Sequence, residues 1–64
     1  MSSSVERAAE AMSDEELADA IDALHARERR LLIDGNVEQA RGVAADKMIC
    51  LSVQRSRRQR DGHG

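Results

Sequence analysis

Four arginines lie within the segment QRSRRQR near the end of the chain: Arg55, Arg57, Arg58 and Arg60. Clustered guanidinium groups can neutralise phosphates, so this segment could bind nucleic acid with a strong dependence on salt. The same cations would equally suit the C-terminal end of a helix or the acidic residues of a neighbouring helix. A net charge of −2 and the lack of aromatic side chains for base stacking favour this structural role.

A carboxylate and an imidazole lie three residues apart at Asp22 and His25, a spacing that di-metal helical bundles use. Such a site also needs carboxylates from the facing helix. The facing segment offers only Glu38 and Asp46 and no histidine. The sequence therefore argues against a metal site, and we expect no cofactor.

The single cysteine, Cys50, lies in the apolar segment MICLSV. A catalytic thiol needs a nearby histidine and a cleft, whereas a free cysteine commonly packs as a small hydrophobic residue. The chain also lacks a phosphate-binding glycine loop, a hydrolase serine motif and zinc-ligand spacing, so we do not expect an enzyme. One unpaired cysteine and the absence of a long apolar run predict a cytoplasmic protein without a membrane partner.

The elements that position these residues are predicted to be all-α. Alanine, leucine, arginine and acidic residues dominate, and proline and aromatic residues are absent. Ser13 and Glu16 form a capping box that starts a helix over residues 14–33. Gly35 then permits a reversal, and a second helix is predicted over residues 37–58. The short link favours an antiparallel two-helix hairpin.

The predicted domain organisation has three parts. Residues 13–60 form the hairpin, residues 1–12 form a flexible or short helical extension, and residues 61–64 form a disordered tail. A chain of 64 residues buries too little surface to be comfortably stable alone, so we expect a partner or a second copy.

Complementary apolar stripes define the predicted hairpin core. The first helix contributes Leu17, Ile21, Leu24 and Leu31, and the second contributes Val37, Ala40, Ala44, Met48 and Leu51. Folding the chain about Gly35 places Glu28 near Arg41, so we predict an ion pair between them. The same register places the acidic residues at the start of the first helix opposite the C-terminal arginines.

The second helix carries a further apolar strip that a hairpin partner does not need. It comprises Gly42, Ala45, Ile49 and Val53, which point away from the predicted core, and we include Cys50, which lies between the two strips. We expect this strip to be a protein interface. The simplest arrangement is a homodimer of two hairpins packed as a four-helix bundle.

The segment VEQARGV, residues 37–43, is similar to the start of the ANTAR RNA-binding domain. That resemblance implies that Gln39, Ala40, Arg41 and Gly42 open an RNA-facing helical region. Beyond these residues the sequence departs from the family, because one helix continues where ANTAR domains turn into further short helices with an aromatic-containing core. The layout also resembles that of Rop, a hairpin that dimerises into a four-helix bundle and binds RNA.

Together these patterns predict a small helical interaction protein that acts as an adaptor, assembly factor or regulatory subunit. Its partner would be a second copy of itself or a larger protein. The alternative is a small nucleic-acid-binding regulator that uses the C-terminal arginines.

Overall fold

A computed structural model describes residues 4–61, and this part of the chain is entirely helical apart from two short links. Three helices follow one another: α1 at Ser4–Ala11, α2 at Asp14–Ile33 and α3 at Val37–Asp61. The all-helical class is confirmed, and α1 adds a third helix to the two of the predicted hairpin. Most of the tail that was predicted to be disordered, residues 62–64, lies outside the described residues.

The start of α2 is the predicted capping box. The backbone N–H of Glu16 donates to Ser13 Oγ over 3.1 Å, and the backbone N–H of Ser13 donates to Glu16 Oε1 over 2.9 Å. These bonds satisfy two backbone N–H donors at the N-terminal end of α2. The bonds from the Ser13 backbone and side chain lower the pKa of the Glu16 carboxyl below its ordinary value.

The link between α2 and α3 depends on Gly35, whose φ of +82° lies in the left-handed region. Its N–H donates to Leu32 O over 3.1 Å, and the N–H of Asn36 donates to Leu31 O over 2.8 Å. This pair of bonds is a Schellman motif, which ends a helix and usually requires glycine at the left-handed position. The chain therefore reverses within three residues.

Helices α2 and α3 lie antiparallel and contact each other along their lengths, and α1 packs on α3. The direction follows from two ion pairs, since Glu28 lies beside Lys47 and Asp14 lies beside Arg57. A small cluster of Ala9, Leu17 and Cys50 is buried where the three helices meet, with Met12, Ile21, Leu24 and Val53 packed around it. Among residues 4–61, Leu17 is the only large side chain that is fully buried.

The face that α3 turns toward α2 differs from the predicted one. Val37 and Met48 were predicted core residues, but both are exposed, and 62 % of Met48 is accessible. Cys50, predicted for an outer interface, is instead buried in the core cluster, and Val53, predicted for the same interface, packs against that cluster. On a helical wheel the buried face is rotated by roughly 90° from the prediction. The rotation arises because α3 packs against two neighbours, and its inward face lies between them.

The remaining predicted core residues keep an inward position. Leu17 and Ala40 are buried, and the half-buried members are Ile21, Leu24, Leu31, Ala44 and Leu51.

The predicted ion pair between Glu28 and Arg41 is replaced by another. Glu28 accepts a hydrogen bond from Lys47 Nζ, and both side chains are only 19 % exposed. Arg41 is exposed. The rotation of α3 explains the change, because it turns Lys47 rather than Arg41 toward the middle of α2.

Candidate interaction surfaces

The predicted second strip of α3 is divided into a covered half and an open half. Gly42, Asp46, Ile49 and Val53 follow one another at steps of four and three, so they share one face of the helix. Helix α1 packs against the C-terminal half of this face, where Val53 contacts the cluster that contains Ala9. Part of the predicted strip is therefore covered by the chain's own first helix.

The open half lies beside a groove between α2 and α3, toward the turn. No residue of α1 lines this groove. Its lining comprises Leu24, Arg27, Leu31, Gln39, Gly42, Val43 and Asp46. Ala45, the remaining member of the predicted strip, is exposed outside it.

Apolar side chains are also exposed at the turn end of the molecule. Leu32 and Ile33 end α2, and Val37 begins α3 on the other side of the turn. All three are at least half exposed, and Ile33 is 76 % exposed. With Met48, they are the large hydrophobic side chains that the described part of the chain leaves most open to solvent.

Of the four C-terminal arginines, Arg57 points into the fold. Its Nη2 donates to the backbone oxygens of Ala9, Glu10 and Met12 over 3.2, 3.1 and 2.8 Å. Its Nη1 donates to Asp14 Oδ1 over 2.8 Å, as the predicted placement of acids opposite the arginines requires. Arg57 thus joins all three helices.

The carbonyl groups that Arg57 binds lie at the C-terminal end of α1, where helix carbonyls lack partners within the helix and a positive charge is favourable. Helix α1 has no basic residue in its own last turn. Arg57 therefore supplies from α3 the cation that α1 lacks. The other three members of the predicted nucleic-acid-binding set, Arg55, Arg58 and Arg60, are exposed.

Sequence reasoning missed the capping role of Arg57 because the partners are backbone oxygens. The net charge of a segment predicts ion pairs between side chains, but no sequence pattern marks the carbonyls of a separate helix. The one available signal was the absence of a basic residue at the end of α1.

Cys50 is buried and is a free thiol. Burial raises the pKa of the Cys50 thiol, and the nearby Asp46 carboxylate raises it further. A raised pKa keeps the sulfur protonated and unreactive at neutral pH. This environment suits packing rather than nucleophilic chemistry.

Metal-binding side chains do not converge in the described part of the chain. Asp22 and His25 are both exposed on α2. No group of three or more histidine, cysteine, aspartate or glutamate residues between positions 4 and 61 is arranged to hold a metal ion.

The residues that resemble the ANTAR segment lie in the first turns of α3. Ala40 is buried, whereas Gln39, Arg41 and Gly42 are exposed. Helix α3 continues without interruption to Asp61. The shorter helices of that family do not follow here.

Comparison of the chain with protein-family models, curated proteins and solved structures gave no significant match. Of the helices in residues 4–61, none has the length and apolarity needed to cross a membrane. The function is therefore inferred from the surfaces of the molecule itself.

Proposed function

We propose that this chain is a small, non-enzymatic helical interaction module that self-associates or docks on a larger protein, as an adaptor, assembly factor or regulatory subunit. One observation carries the proposal. The described residues fully bury a single large apolar side chain, Leu17, while four large apolar side chains remain at least half exposed.

Exposed apolar residues are ordinary when they are scattered over a well-packed domain. Here the core is small, and three of the four exposed residues flank a single turn. Full burial of one leucine-sized side chain contributes about 1.5–3 kcal/mol. A partner that covers several of them would therefore add a stabilising contribution comparable to that of the chain's own core.

The simplest assembly is a homodimer in which the helices of two copies pack as a helical bundle. Helix α1 modifies the two-hairpin arrangement, because it occupies part of the strip that a second hairpin would otherwise cover. We place this module in the cytoplasm, since its only cysteine is a free, buried thiol.

Sedimentation equilibrium combined with circular dichroism tests this proposal. The expected result is a helical dimer or higher oligomer whose thermal midpoint rises as the protein concentration increases from the micromolar to the millimolar range. A stable helical monomer with a midpoint that does not depend on concentration would contradict it, because such a chain needs no partner to complete its fold.

Nucleic-acid binding is the second candidate, and the exposure of Arg55, Arg58 and Arg60 near the end of α3 supports it. It predicts binding that weakens steeply as salt increases. Replacing the three arginines by glutamine should reduce the slope of that dependence, by about one for each arginine that binds a phosphate. No detectable binding at low salt would remove this candidate.

A further inference from the structure

We propose that the open groove between α2 and α3 is the contact face for a second copy of this chain, related by a two-fold axis that runs along the groove. The inference rests on the proposed self-association and assigns its surface. Leu24, Leu31 and Val43 supply the apolar part of the groove, with Arg27 and Asp46 on opposite walls.

The groove is a continuation of the core that residues 4–61 leave uncovered. Leu24 packs against the buried cluster and also lines the groove, so apolar surface extends from one into the other. Leu31 and Val43 are only half-buried. Helix α1 covers the neighbouring strip at Val53 but contributes nothing to the groove itself.

Gly42 lines the same groove, and nothing in residues 4–61 requires glycine at this position. It lies inside α3 with an ordinary helical backbone, and a Cβ atom added there would meet nothing within 4 Å. Glycine inside a helix costs about 1 kcal/mol relative to alanine. A glycine here would allow the backbone of a helix from another molecule to approach closely, whereas residues 4–61 contain no such close approach at Gly42.

The charges of the two walls identify a second copy as the occupant. Arg27 and Asp46 lie at nearly the same level along the groove, because the residues that follow them, Glu28 and Lys47, form an ion pair. Neither Arg27 nor Asp46 forms an ion pair with another residue between positions 4 and 61.

A two-fold axis along the groove exchanges the α2 wall of one copy with the α3 wall of the other. Arg27 then faces the partner's Asp46, and Asp46 faces the partner's Arg27. The surface is therefore complementary to itself in charge.

Paired charge reversals test this arrangement. In a homodimer of Arg27→Glu chains, both symmetry-related contacts would place a glutamate opposite the partner's Asp46. In a homodimer of Asp46→Lys chains, both contacts would place a lysine opposite the partner's Arg27. Each variant alone should dimerise at least roughly tenfold more weakly than the wild type, since two attractive contacts become repulsive.

An equimolar mixture of the two variants should recover the wild-type affinity as a heterodimer, because both contacts are then attractive. Native mass spectrometry with one variant isotopically labelled counts the mixed species. The matched control uses Arg29→Glu and Glu38→Lys, which make the same charge changes on α2 and α3 at exposed residues outside the groove. These controls should dimerise as the wild type does, with no preference for the mixture.

Gly42→Leu provides a test that does not involve charge. The added side chain begins in open space within its own chain, so helicity should be retained while dimerisation weakens at least roughly tenfold. Dimerisation of Gly42→Leu at wild-type strength would overturn the assigned face.

The outcomes separate this inference from the proposed function. A wild-type chain that stays monomeric would overturn this inference. It would overturn the proposed function as well if that monomer is stable and helical, whereas a poorly folded monomer would leave docking on a larger protein standing. A wild-type dimer that tolerates Arg27→Glu and Asp46→Lys as well as it tolerates the control changes would overturn this face alone and leave self-association standing. If either charge reversal loses helicity, Arg27→Gln and Asp46→Asn replace them. Both should weaken the dimer, and mixing them should recover part of the affinity, because the heterodimer regains one of the two contacts between Arg27 and Asp46.

Discussion

Removing the Arg57 guanidinium should release α1 from the rest of the fold. Helix α1 has eight residues, and its buried contact with the core is made chiefly by Ala9, with Met12 following its end. An isolated helix of this length is not stable in water. Its order therefore depends on packing against α3 and on the hydrogen bonds that Arg57 donates to its last carbonyls.

The size of the effect follows from the contacts of Arg57. Its side chain is 21 % exposed, so the bonds to backbone oxygens are partly shielded from water. Asp14 is 80 % exposed, and its ion pair contributes at most about 1 kcal/mol. A hydrogen bond from a charged donor contributes about 1.5–3 kcal/mol, and one nitrogen shared among three acceptors makes fewer than three full bonds. Arg57→Ala should therefore cost about 2–4 kcal/mol.

Amide hydrogen exchange measures this loss residue by residue. In Arg57→Ala the amides of α1 should lose most of their protection, while those in the middle of α2 and α3 lose much less. The helical signal in circular dichroism should fall by roughly a seventh, which is the share of α1 among the three helices.

Arg58→Ala is the matched control, because Arg58 is the next residue, carries the same charge and is exposed. Arg57→Lys should be intermediate, since an ammonium keeps the charge but lacks the planar fork of donors. Equal exchange of α1 in Arg57→Ala and Arg58→Ala would refute the capping role.

Three further substitutions test local features by thermal unfolding. Ser13→Ala should cost about 0.5–2 kcal/mol. Because the pKa of Glu16 is lowered in the folded chain, the capping box stabilises the fold fully above the pKa of an unfolded glutamate. This stabilisation is lost as the pH falls through the lowered pKa. The difference in stability between Ser13→Ala and the wild type should therefore narrow in acid. Glu28→Ala should cost about 1–3 kcal/mol because it leaves a partly buried ammonium unpaired, whereas the exposed control Arg41→Ala should change stability by less than about 0.5 kcal/mol. Gly35→Ala should cost about 1–2 kcal/mol, since alanine is strained at positive φ, and no loss would contradict the left-handed assignment.

The helices themselves could be predicted from the sequence because their end signals are local. The Ser13 and Glu16 box fixes the start of α2, and Gly35 fixes its end, so that α2 has the predicted bounds. For residues 1–12 the sequence supports two alternatives, a flexible extension and a short helix. The eight residues of α1 are too short for periodicity to decide, and the side chain that caps its C-terminal end, Arg57, lies almost fifty residues away in the chain.

The orientation of α3 could not be predicted because its sequence has apolar residues on more than one side. Folding α3 against α2 alone favours Val37 and Met48 as core residues, since they complete a regular stripe. Helix α3 also packs against α1, and with two neighbours it buries Cys50 and partly buries Val53 instead. The identity of the partner of Glu28 changes for the same reason, from Arg41 to Lys47.

The two halves of the predicted outer strip of α3 thus differ in what packs against them. The C-terminal half, which includes Val53, is packed against the chain's own first helix. The N-terminal half, with Gly42, borders a groove that the same helix is too short to reach. Because an eight-residue helix spans about 12 Å, it covers only part of a face that extends along the whole of α3. The part of this face that α1 does not cover borders the groove. There the described part of the chain has apolar surface, complementary charges without ion-pair partners and a glycine without a contact that requires it. A second copy would cover the apolar surface, pair the charges and make use of the glycine.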